Sequence, residues 1–188
     1  MKTHIPERTE ALELLHNYNN TQSLLNHALS VEGVMRHIAG LKGDDVDKWG
    51  IVGLVHDLDY EKFPEQHCII TKRILEEAGW DQEYIRAVLS HGWGMVTEVE
   101  PISQLEKYLF AIDELTGLVT ACALVRPSKS VNDLEVKSVK KKWKEQSFAA
   151  GANREVILKG AEMLGVELDD SIVLVIDGLK KISDEIGL

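Results

Sequence analysis

Residues 50–63 read GIVGLVHDLDYEKF. An apolar run, Ile51 to Val55, leads straight into His56 and Asp57, and two more acids follow at Asp59 and Glu61. A core has no use for a histidine and an aspartate at the inner end of an apolar helix, because burying an unpaired carboxylate is expensive. A metal ion would use both, since imidazole and carboxylate are ordinary ligands of divalent transition metals.

The pattern around this stretch is helical. In 21–41, Leu24, Ala28, Val31, Val34, Met35 and Ile38 recur at helical spacing, and Gly40 and Gly43 predict its end. The apolar run predicts a helix over 45–58. Pro64 opens another through Ala78, stopped near Gly79, and Asp81 caps one that ends near His91 and Gly92. Ser103 and Glu106 form a capping box ahead of a long helix, 104–125, closed by Pro127. Ser130 and Asp133 suggest a capped helix over 131–145. Two more are expected at 153–164 and 170–186, and a short one at 8–17. Strand alternation is scarce, so the chain reads as all-α with eight or nine helices. The stretch GWGMVTEVEPI, 92–102, is the longest without periodicity among the histidine-bearing helices and is a candidate lid or rim.

With 188 residues, 44% of them hydrophobic and 28% charged, the chain can bury a sizeable core. It reads as one helical unit over 1–188. Cys68 and Cys122 lie in apolar helical patterns without metal-type spacing, which suggests buried thiols in a reducing compartment. The start, MKTHIPERTEALELL, lacks the basic and apolar regions of a secretory signal, and runs such as Leu118 to Val125 are too short to span a bilayer. These features suggest a cytoplasmic protein without a membrane partner. A net charge of −10 disfavours bulk nucleic-acid binding. Against that charge, residues 126–144 hold seven bases and two acids.

Placed on these helices, His27 shares the apolar face of Leu24, Val31 and Val34. Asp113 follows Leu109 by four and faces the small residues Thr116 and Gly117, where another helix could come close. His56 and Asp57 are about 100° apart on a helix, so an ion between their directions can meet both. His27, His56, Asp57 and Asp113 thus converge from three helices. Two neutral imidazoles and two carboxylates around a divalent cation are close to electroneutral, and the set suits Fe, Mn, Co, Ni or Zn. His67, on the face of Ile70 and Ile74, and His91, three after Val88, can complete a second position with Asp57 as the bridge. A single inward histidine is more often a hydrogen-bonded core residue than a ligand; the joint pattern carries the reading. His4, His16 and His37 have no such companions and read as surface or packing residues.

This H…HD…D pattern resembles the HD superfamily of metal-dependent phosphohydrolases. The first histidine lies in NHALSVEGVMRH, the pair in GLVHDLDYEKF and the last aspartate in FAIDELTGL, at intervals of 29 and 56 residues. The resemblance covers a core of about 20–126 and implies an HD-type helical bundle, with 127–188 a helical extension. LVRPSKS, EVKSVKKKWKE and FAAGANREVI resemble the tail of a bacterial subgroup labelled only HD or HDIG proteins. Leu58-Asp59 stands where the HDIG variant has Ile-Gly. His91-Gly92-Trp93 without a GYP element argues against cyclic di-GMP cleavage.

The resemblance implies metal-activated water acting on a nucleotide or another small phosphoester, with one or two ions bound. Asp59 or Glu61 are candidates to hold or deprotonate that water, and Arg126 and Lys129 to hold substrate phosphate. Lys137, Lys140, Lys141 and Lys144 form a basic face that is either solvated or a site for a negatively charged ligand. The alternatives are a metal- and nucleotide-binding regulatory module with little turnover, and a di-iron oxygenase.

Overall fold

The computed structural model describes residues 4–188, so residues 1–3 of the expected unit lie outside the description. Among the described residues ten α-helices form: α1 (Arg8–Tyr18), α2 (Gln22–Lys42), α3 (Val46–Val55), α4 (Ile69–Glu77), α5 (Gln82–Ser90), α6 (Gln104–Leu124), α7 (Val136–Trp143), α8 (Arg154–Leu164), α9 (Leu168–Lys181) and α10 (Ser183–Ile186). Among the described residues there are isolated β-bridges but no strand, which makes the fold all-α. No helix among them is long and apolar enough to cross a membrane.

The two 21-residue helices, α2 and α6, are the spine. Their limits follow local rules. Gly43 closes α2 in the left-handed region at φ 72°, where glycine carries no Cβ penalty. Ser103 and Glu106 form the expected capping box of α6. Asp45 caps α3 by accepting from the amides of Asp47 and Lys48, which satisfies donors that a helix start leaves free.

Helices α3 and α9 pack on α2, α1 packs on α3, and α5, α8 and α9 pack on α6. One apolar core runs through them. It holds Val31, Met35, Leu54, Leu109, Ile112 and Leu115, and equally Ile157 of α8 and Ile172 and Val175 of α9. Helix α8 comes closest where Gly160 meets Ala111; a Cβ on Gly160 would lie 2.4 Å from the Ala111 Cα.

Four elements depart from expectation; one is the helix expected over 170–186, which is two helices, α9 and α10, divided at Ile182 with φ −122° and ψ 13°. The apolar helix ends at Val55, and His56 and Asp57 open the turns that follow it. The helix expected from Pro64 to Ala78 is broken: a 3₁₀ turn covers Pro64–Gln66, and Cys68 adopts φ 67°. Helix α4 starts only at Ile69, because a positive φ cannot be carried inside a right-handed helix. Helix α7 begins at Val136 rather than 131, since Asp133 accepts from Arg126 and Ser128 instead of capping.

Candidate metal centre

The HD pair sits where α3 stops, so its side chains point into the space between α2, α6 and the end of α5. His56 is fully buried. Its Nδ1 lies 2.7 Å from the Gly53 carbonyl; a carbonyl only accepts, so Nδ1 carries the proton and Nε2 faces the site. His91 repeats the device, with Nδ1 donating to the Val88 carbonyl. His67, in the turn before α4, donates from Nδ1 to Asp59 Oδ1 at 2.7 Å. Locking one ring nitrogen so that the other is presented is how proteins orient metal-binding imidazoles.

The presented nitrogens meet on Asp57. Its Oδ2 is 3.3 Å from His56 Nε2 and 3.8 Å from His27 Nε2. Its Oδ1 is 3.4 Å from His67 Nε2 and 3.3 Å from His91 Nε2. Asp113, on α6, closes the first group, with Oδ1 2.9 Å from His27 Nε2 and 3.2 Å from His56 Nε2. Two donor sets result, one on each oxygen of Asp57. His27, His56 and Asp113 offer atoms within 4.8 Å of one another, and so do His67, Cys68 and His91. His56 Nε2 is buried yet has no aligned hydrogen-bond partner. Such a group is rare in a native interior, and a cation between it and the two carboxylates would satisfy it. The donor set therefore fits a divalent metal.

The electrostatics agree. Burial pulls the His56 pKa down, but the Asp57 and Asp113 carboxylates outweigh it and raise it to about 10. Burial likewise opposes, and the Asp59 hydrogen bond drives, a rise to about 9 at His67. Against the cost of burial, His56 holds Asp57 and Asp113 well below the usual carboxylate range. With protons alone to balance it, the site keeps positive charge where an ion would sit.

The centre opens into a cleft of about 480 Å³ whose lining includes His27, Asp57, His67, His91 and Asp113. Glu114, beside Asp113, also faces it and accepts the Asn153 amide at 3.2 Å. Burial and then the Asp113 charge push the Glu114 pKa up to about 7. Met95 and Val96 bring the 92–102 loop to the cleft, which makes it the expected rim. Gly117 also lines it, and a Cβ there would meet nothing within 4 Å. The small face beside Asp113 therefore leaves room for the cleft, and the close helix approach occurs at Ala111 instead.

Other expected site residues are placed elsewhere. Asp59 is fully buried; its oxygens accept from His67 and the Thr71 amide. Neither is left for a water, so it positions His67 rather than acting as a base. Glu61 accepts from the amides of Asn20 and Thr21 and ties α2 to the turn. Arg126 is paired with Asp133 at 2.9 Å, and the stretch of α6 from Asp113 to Leu124 alone spans roughly 16 Å at 1.5 Å per residue. Arg126 and the exposed Lys129 do not line the cleft. Two lysines of the basic face are engaged, Lys137 on Glu135 and Lys140 on Asp169, and none of the four lines the cleft.

The sequence reading missed Glu114, Tyr60 and the segment Ala149, Gly151 and Ala152, all of which line the cleft. The run of small residues FAAGA was the only signal for that segment.

Residues 24–118 match the HD domain family. The chain belongs to that family. HD domains are metal-dependent phosphohydrolases as a superfamily, and the two donor sets of this HD chain accord with that chemistry. Ribonuclease Y of Thermosipho melanesiensis is 30% identical over 149 residues, which cover 72% of this chain and 27% of the relative. The HD chain thus spans about a quarter of that relative's length. No solved structure matches it.

Proposed function

We propose that this HD chain is a phosphohydrolase that uses a divalent transition metal to hydrolyse a nucleotide or another small phosphoester. The observation that carries the reading is the meeting of four imidazole Nε2 atoms on the two oxygens of Asp57. His27, His56, Asp57 and Asp113 would hold one ion; His67 and His91, with Asp57 as bridge, would hold a second. Residues 4–188 act as one unit in this reading, with an HD core over about 20–126 and the extension from about 127 completing the cleft.

A bound ion supplies a water of lowered pKa and positive charge toward a phosphoryl oxygen. The chain's own groups do the rest. Gly53 and Val88 hold His56 and His91 in the tautomer that presents Nε2, and Asp59 does the same for His67. Tyr60 stands edge-on to His67 with ring centroids 5.3 Å apart. Met95 and Val96 narrow the mouth of the cleft. The relative's name denotes action on RNA, but a net charge of −10 and a cleft without basic lining speak against a long polyanion here.

Elemental analysis of purified protein, wild type beside Asp57→Ala, tests the site. One or two transition-metal ions per chain in wild type and none in the variant are expected. Equal, near-zero content in both after metal is added back would make His56 and Asp57 structural and end the enzyme reading. A second reading rests on the His67 and His91 set, which also suits a di-iron oxygenase. Two iron ions per chain with a reversible redox change would favour it, and a redox-silent centre would exclude it.

A further inference from the structure

The cleft of a phosphohydrolase is expected to carry cations, since arginine forks and lysine charges are the usual protein partners of phosphate groups. This cleft carries none: no Lys or Arg is among its described lining residues. Its charged groups apart from histidine are the carboxylates Asp57, Asp113 and Glu114. Three bases outside the cleft hold other partners. Lys159 Nζ sits 3.4 Å over the Trp93 ring, Lys140 pairs with Asp169 and Lys142 with Glu145.

The uncharged wall is apolar. Leu24 and Met95 flank the mouth with Val96, and Ala149 and Ala152 come from the segment between α7 and α8. Met95 and Val96 are 44% and 47% exposed, so an apolar group seated against them would be drawn in by the area it removes from water. Two divalent ions would bring four positive charges against the three carboxylates Asp57, Asp113 and Glu114, which leaves about one positive charge for a ligand to balance. The tri- or tetra-anionic tail of a nucleotide polyphosphate would exceed that charge several-fold and find no cationic side chain among the described lining residues. A volume of about 480 Å³ is ample for a phosphate and an aryl- or alkyl-sized substituent.

We propose that the substrate of this cleft is a phosphoester with a single phosphate group on an apolar organic part, and that nucleoside di- and triphosphates are discriminated against. The inference rests on the phosphohydrolase reading above. In the reaction the ester P–O bond breaks, water's oxygen forms the new bond to phosphorus, and a water proton ends on the departing oxygen.

The test uses the full chain reconstituted with Mn²⁺ or Co²⁺. Hydrolysis of p-nitrophenyl phosphate is compared with that of ATP, and binding of phenylphosphonate with that of the non-hydrolysable β,γ-methylene analogue of ATP. A kcat/KM ratio of about tenfold or more in favour of p-nitrophenyl phosphate is expected, with the same order in binding. Equal or better handling of ATP and its analogue would overturn the inference and leave the phosphohydrolase reading standing. No phosphate released from either substrate, with the metal shown to be bound, would overturn both. Glu114→Gln removes one carboxylate at nearly constant shape, so it should lower KM for ATP about threefold more than KM for p-nitrophenyl phosphate. An unchanged KM ratio would overturn the charge argument.

Discussion

Asp59 shows how a residue can serve a site without facing it. Both its oxygens are used, one on His67 Nδ1 and one on the Thr71 amide, and its own amide donates to Thr71 Oγ1. Asp59→Ala should therefore weaken metal uptake about 10–100-fold at the His67 and His91 position, the usual cost of removing such a partner. The first position should be spared, because His56 is held by a carbonyl of its own turn. Metal titration followed by calorimetry would show one weakened step beside one intact step; two intact steps would remove Asp59 from the positioning role. From sequence, Asp59 is one more acid after the HD pair. That its carboxylate turns inward to a histidine eight residues on depends on the break at Cys68, and no spacing rule encodes that break. The inward direction of His27, by contrast, was legible from its apolar face, and its place beside Asp57 and Asp113 from the joint pattern.

At the scale of elements, the boundaries set by side-chain caps were legible and those set by unusual backbone were not. The Ser103 and Glu106 pair starts α6 as expected, and Gly43 ends α2. A positive φ at a cysteine has no sequence signature, so the helix from Pro64 was read as continuous. Tertiary contact also overrides pattern at Asp133, which satisfies Arg126 instead of starting a helix. The tightest junction is α6 against α8. Gly160→Val places its Cβ against the Ala111 backbone, which cannot yield as a flexible side chain would. Destabilisation of about 1–3 kcal/mol is expected from overpacking, read as a lower midpoint in urea at unchanged slope. Gly117→Ala, inside α6 and meeting no atom within 4 Å, should raise that midpoint, since alanine in a helix interior is favoured over glycine by about 0.5–1 kcal/mol.

At the scale of the whole molecule, the candidate metal centre joins α2, the end of α3, the end of α5 and α6, so its charge balance bears on global stability. The pKa of His56 is raised to about 10 and that of His67 to about 9, from an ordinary 6.5. A raised folded-state value gives stability that is complete below about pH 6.5 and is lost as pH climbs through 9 to 10. Chelator-treated protein should therefore lose Tm steadily between pH 7 and 10. Metal-loaded protein should hold its Tm longer over that range, since bound ions replace the protons and favour the folded chain. Coincident curves would mean that the cluster does not hold metal. The all-α class, the helical core and the first donor set were readable because each rests on periodicity. The cleft wall was not, because it is assembled by residues far apart in the chain.

That wall has an evolutionary reading. The proposed ligands all lie within the matched residues 24–118, whereas Ala149, Gly151 and Ala152 lie beyond them. Part of the cleft wall is thus written outside the stretch that carries the proposed ligands. That part can drift, by changes in a few small side chains, while the ligands stay fixed, and a lineage can acquire new substrates without rebuilding its reactive centre.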